Sequence, residues 1–359
     1  MKKYGIIVAG IVVIGLLVGI RFASRERATL LASATDAAIS AEPPDLAPLP
    51  AALTRTNSGS PDKTVLQRIA QNDPGVFKLS PEQVQAFLAK NRTNAESLLA
   101  AFNVTSNKEF LREAVRRFPD SSFVLASALA NDALPDQRHQ LMDRLKEVSP
   151  ENPLANYLSA RDHLKDQQPD LALREFTEGS SKNGFYDFTV ERIQGLEEMY
   201  LSAGYSPAEA KALAMTSLQV PAVSQLRELG RDMSALARQY AAAGDAASAQ
   251  MLARMGLNLG ADITHGNANS LLSQMVGTVV EREFLSGLDP NVSYDFVPEP
   301  VAERLAQLQA QDRSIREAAQ FFDHWMQTAN DAQLVSYFDR LKLYGEAAAI
   351  NWARTQAWE

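Results

Sequence analysis

The chain has 359 residues, 46% hydrophobic and 22% charged, enough for two modest domains or one elongated repeat array and too apolar for wholesale disorder. Its formal net charge of −8 is unevenly placed: Lys2, Lys3, Arg21, Arg25 and Arg27 against Glu26 leave residues 1–27 at +4 and the remainder at −12, an acidic body that disfavours nucleic acid. There is no cysteine, which removes disulfides, thiolate metal sites and cysteine nucleophiles, and His139, His163, His265 and His324 stand singly, with no metal-ligand spacing among them.

From Tyr4 to Ile20 the chain carries no charge. As a helix this run rises about 26 Å, enough to span a hydrocarbon core once Phe22 is added past a snorkelling Arg21. The basic start at Lys2 and Lys3 also suits a cleaved signal peptide. Against cleavage, the run is long, charges follow at once, and the small-residue site Ala32-Ser33-Ala34 lies far downstream. Residues 1–24 are therefore expected to be an uncleaved single-pass anchor with basic flanks. Lys2 and Lys3 are expected inside and the body exported, although Arg21, Arg25 and Arg27 oppose that orientation. Gly15 and Gly19 form a small-xxx-small pair that would allow close approach of two such helices, a pattern also common in lone spans.

Residues 25–63 lose periodicity. Ala41-Glu-Pro-Pro-Asp-Leu-Ala-Pro-Leu-Pro50 and Asn57-Ser-Gly-Ser-Pro61 have the composition of an extended or flexible spacer.

From Thr64 nothing reads as a strand. Apolar residues recur at three and four, with Pro, Gly, Asn and Asp at the breaks, which predicts an all-α body. Ser80-Pro-Glu-Gln83 and Ser206-Pro-Ala-Glu209 are helix starts with a capping serine, proline at the first position and an acceptor at the third. Helical pairs are predicted near 88–118, 121–149, 153–182, 190–217 and 230–257. Phe118-Pro119 and Val148-Ser149-Pro150 close two of them.

Within this body a pattern recurs. Leu196, Tyr200 and Gly204 match Leu236, Tyr240 and Gly244 at identical offsets, each followed by an Ala-rich helix. With Ala237 and Ala249 the second copy resembles the tetratricopeptide (TPR) repeat. Ala126, Ala160, Ala172 and Phe176 fit it upstream, although the spacing drifts and most units lack the tyrosine or glycine. The resemblance covers about 170 residues and implies stacked helical hairpins, an α-solenoid over 64–297. In such an array small residues permit close approach, tyrosine fills the gap between repeats and glycine ends the first helix.

Asp289-Pro-Asn-Val-Ser-Tyr-Asp295 has the oxygen spacing that opens a calcium loop, but Tyr294 and Pro300 stand where glycine and glutamate are needed; an Asx-type turn is expected. Residues 298–359 are expected to add two amphipathic helices capping the array. Ile315, Ala318, Ala319, Phe322, Trp325 and Met326 line one, and Leu334, Phe338, Leu341, Ala348 and Trp352 the other. Glu197-Glu198 and Glu281-Arg282-Glu283 are paired carboxylates read as solvated faces, since neighbours on a helix point apart. No catalytic, cofactor-binding or metal residue is assigned, because no histidine accompanies a nucleophile elbow or phosphate loop. The expected function is a membrane-tethered scaffold or adaptor binding a protein or peptide on the concave face of the array. The alternatives are an assembly component of the cell envelope or a membrane-held enzyme.

Overall fold

A computed structural model describes residues 68–69, 74–266 and 270–356. The expected anchor, with Gly15 and Gly19, and the spacer at 25–63 lie outside the described residues. Within them all regular structure is helical, with one isolated bridge between Tyr294 and Val297, and no helix is long and apolar enough to cross a membrane.

The first helix, α1 (Pro81–Lys90), starts where the sequence signals it. The Ser80 hydroxyl accepts the Gln83 N–H at 3.3 Å, and the Gln83 side chain accepts the Ser80 N–H at 2.8 Å. Five antiparallel pairs follow: α2 (Ala95–Thr105) with α3 (Lys108–Arg117), α4 (Ser122–Ala130) with α5 (Arg138–Val148), α6 (Leu154–Lys165) with α7 (Pro169–Ser180), α8 (Thr189–Ser202) with α9 (Pro207–Thr216), and α10 (Pro221–Ala242) with α11 (Ala246–Thr264). Phe118 and Ser149 cap the ends of α3 and α5. The pair expected over 88–118 is α2 with α3, and it starts later, at Ala95, because Asn91 closes α1 and Asn94 caps α2.

The pairs are layered according to how much of each helix is apolar. In α3 only Leu111, Ala114 and Val115 are buried, and its arginines and glutamates face water. In α4 every residue from Phe123 to Ala130 is buried, and α2 and α6 are buried nearly all round. A helix apolar on all sides needs covering on all sides. That cover comes from far along the chain: α8 packs on α1 and α2, and α10 packs on α6 and α4. The first contact runs past Gly195, where a Cβ would stand 3.5 Å from that of Ala100, an ordinary van der Waals distance. Gln225 secures the second, its side-chain amide donating to the Ala130 carbonyl at 2.8 Å. Each large aliphatic side chain enclosed this way contributes roughly 1.5–3 kcal/mol.

Beyond α11 come α12 (Leu271–Leu285), α13 (Val301–Thr328), α14 (Asp331–Tyr344) and α15 (Glu346–Gln356). The tail therefore holds three helices where two were expected. Gly345, at φ +85°, turns the chain between the two segments read as one apolar face. Nor does the tail merely close the end of the array, for α14 packs on α9 and α13 on α12. Ile315, Ala318, Trp325, Leu334, Tyr337, Phe338 and Leu341 join Leu196, Tyr200 and the alanines of α9 in a second core, separate from the one inside α1–α7 and α10–α12. Helix α8 borders both: Met199 belongs to the first core, Ile193, Leu196 and Tyr200 to the second.

Close backbone approach holds α10, α11 and α12 together. A Cβ at Gly277 would stand 2.0 Å from the Thr264 hydroxyl and 2.5 Å from the Gly260 carbonyl; one at Gly256 would stand 2.2 Å from the Phe284 ring. Only glycine admits helices this near.

Candidate functional site

The two copies of the Leu-Tyr-Gly pattern end their helices identically. Gly204 and Gly244 adopt φ of +95° and +83°, their N–H groups reach Leu201 and Ala241, and the next residues, Tyr205 and Asp245, donate back to the carbonyls of Tyr200 and Tyr240. The side chains differ. Leu196 and Tyr200 are fully buried, and the Tyr200 hydroxyl lies 3.1 Å from the Phe77 carbonyl and 2.9 Å from the Ser217 hydroxyl. Burial pushes that phenol up to about 12. Leu236, Ala237 and Tyr240 are only partly buried against the core, at the base of an exposed tip, while Ala249 is buried. Tyr240 thus fills much less of an inter-helix gap than the pattern leads one to expect.

Two of the paired carboxylates are not on solvated faces. Glu197 is buried and accepts Lys211 at 2.6 Å through one oxygen and Lys342 at 2.6 Å through the other, and Lys211 also reaches Asp339 at 2.5 Å. Burial pulls the Lys211 ammonium down, but its bonds to Asp339 and Glu197 outweigh that and hold it above its usual value. This network ties α8, α9 and α14. Glu281, also buried, accepts from Arg304 of α13 at 2.7 Å, whereas Glu198 stays exposed. The expectation failed because the countercharges lie 14 to 145 residues away.

Two partly buried acids flank the connection from α11 to α12. The Tyr157 hydroxyl donates to Asp262 at 2.6 Å, and burial raises Asp262 to about 6 against the pull of that bond and of His265. Glu346 accepts the Leu271 N–H at 2.7 Å, and burial raises it to about 7 against that bond. Both are joints between helices. His163 pairs with Gln168 at 2.8 Å. Asp289 accepts the Asn291 N–H at 2.9 Å in the expected Asx turn. Among the described residues no group of three or more His, Asp or Glu side chains could hold a metal.

A shallow cavity of about 430 Å³ lies between α1 and α3, where Leu88, Ala89, Leu98 and Phe110 meet Glu109 and Glu113. Its glutamates are paired with Arg112 and Arg116. The chain matches no family model, no curated protein and no solved structure.

Proposed function

We propose that the chain is a membrane-tethered helical scaffold of TPR-like hairpins whose body, held outside the cytoplasm, binds a protein or peptide partner and carries out no chemistry of its own. The observation that carries this reading is the order of parts along one chain: an uncharged run at Tyr4–Ile20, a Pro- and Ala-rich spacer, then a body made of helical hairpins. The buried charges support it, since Lys211, Glu197, Asp339 and Lys342 neutralise one another as ties between helices.

The surface assigned to the partner differs from the one expected. The inner helices α2, α4 and α6 are covered by α8 and α10, so that face is not free. The outer helices α3 and α5 remain, with Arg116 and Arg144 exposed. Full-length chain carrying a photo-crosslinker at Arg116 or Arg144 should capture one defined protein from intact membranes, and R116E/R144E should lose it. Hydrolase turnover abolished by a single substitution would overturn the scaffold reading. A reporter active only outside the cytoplasm, fused after Glu359, should be active; a silent fusion would reverse the topology.

A further inference from the structure

On this acidic body one surface is basic. Arg227, Arg231 and Arg238 recur at intervals of four and seven, which puts them on one face of α10, and all three are exposed. Gly230 packs against Val280, bringing α12 alongside, and Arg238 passes beside Gly287 just beyond it. Arg282 of α12 completes the group, for the charges of all four arginines act on its neighbour Glu283. Burial nevertheless holds the Glu283 carboxyl above its usual value, and one of its oxygens is buried without a partner.

Three carboxylates, Asp232, Glu228 and Glu283, act on Arg231, and the cations around them outnumber them. Arg231 pairs with Asp232, and Glu228 is engaged by Arg161 on the side toward α6. Lys165 also acts on Glu228, adding to the positive side. Neither Arg227 nor Arg282 has an ion-pair partner among the described residues. Beyond Arg238 the helix runs into an exposed tip, Ala241–Ala243 and Ala246–Ala247, whose one charge, Asp245, caps α11.

We propose that this arginine face rests on the anionic surface of the bilayer in which the chain is anchored, setting the orientation of the body. The proposal depends on the tethered reading above. Guanidinium forks match phosphate oxygens, and a row of exposed arginines about 16 Å long on one helix suits a field of headgroups better than a single gripped side chain. A flexible tether of the length and composition read at 25–63 would span on the order of 35 Å, which keeps the headgroups within reach of the body. The −12 charge of everything beyond residue 27 is repelled by the same surface, so the molecule turns this face down.

The absence of cysteine makes the test direct. S224C, exposed on the same face of α10, takes a single fluorophore in the full-length chain, reconstituted into vesicles carrying a headgroup-labelled acceptor lipid. Energy transfer should be higher in vesicles containing phosphatidylglycerol than in phosphatidylcholine alone, and should fall with salt. R227E/R231E should lower the docked-to-free ratio by more than roughly fivefold for each arginine altered, about fivefold being the loss for neutralising one, with melting unchanged. Should that variant fail to fold, R227Q/R231Q serves in its place. Equal transfer in both lipids, or transfer indifferent to the arginines, overturns the proposal, as does capture of this face by a polyglutamate peptide without lipid preference. Flotation separates the two readings: a chain that floats with both vesicles but shows equal transfer refutes the docking alone, whereas one that floats with neither refutes the tether.

Discussion

The segments 196–204 and 236–244 share leucine, tyrosine and glycine at the same offsets and the same closing hydrogen bonds, yet they do different work. In the first, α8 is wedged between two cores, and Tyr200 is completely enclosed. In the second, the end of α10 is exposed, Tyr240 is only partly buried, and the α10–α11–α12 group is held by glycine contacts lower down, at Gly230, Gly256, Gly260 and Gly277. A local pattern specifies how a helix ends because the groups involved are neighbours in the chain. What a side chain at that pattern contributes depends on which distant helix arrives beside it.

The sharpest way to break the comparison is to truncate both tyrosines. Tyr200→Ala should cost roughly 3–5 kcal/mol, since it empties an enclosed site and removes the hydroxyl's bonds to the Phe77 carbonyl and Ser217, while Tyr240→Ala should cost about 1 kcal/mol or less. Chemical denaturation of the two variants measures the gap, and equal losses would mean that the shared pattern governs packing after all.

If glycine contacts carry the second region, Gly277→Ala should cost about 3 kcal/mol despite alanine's better helix propensity, because its Cβ collides with the Gly260 backbone and not just a movable side chain. An unshifted melting temperature would show that α11 and α12 can separate freely.

The joint between the regions is Glu346 of α15 on the N-terminus of α12, and it should respond to pH. A carboxyl raised to about 7 when folded binds its proton more readily in the native chain than in the unfolded one. Its stabilising effect is therefore full below about pH 4.5 and lost as pH rises through 7. Asp262, raised to about 6, acts in the same direction over a lower window. Glu346→Gln keeps an acceptor for Leu271 and cannot ionise, so it should match the parent at pH 5 and exceed it by about 2 kcal/mol at pH 8. Parallel stability curves for the two proteins across that range would place the carboxyl in contact with solvent.

The smallest effect is also the most uniform. Gly204→Ala and Gly244→Ala each force a Cβ into the left-handed region with open space around it, and each should cost about 1 kcal/mol. Differing losses in calorimetric melts would indicate that tertiary contacts reach even the caps.

Much of the helix pattern was legible. The pairs expected at 121–149, 153–182 and 190–217 begin and end within a few residues of α4–α5, α6–α7 and α8–α9, because serine, proline and glycine act on their own neighbours. The covering of α2, α4 and α6 was not legible, although Phe123–Ala130 carries the hint: a helix without a polar face has to be interior. Tyr344-Gly345 held the signal for the extra tail helix, but the apolar spacing ran straight across it. Burial of Glu197 and Glu281 could not be read locally, since Lys211, Lys342 and Arg304 meet them only through the tertiary fold.

The reach of α8 back to α2, and of α10 to α6, sets a timetable for biogenesis. At ordinary translation speed roughly ten seconds separate synthesis of the inner helices from synthesis of the ones that cover them. Throughout that interval the emerging chain presents a wide apolar sheet of helices to its surroundings. Production of this protein should therefore lean on a holding chaperone, and a nascent chain truncated before residue 221 should be digested by protease where one extended through α10 resists.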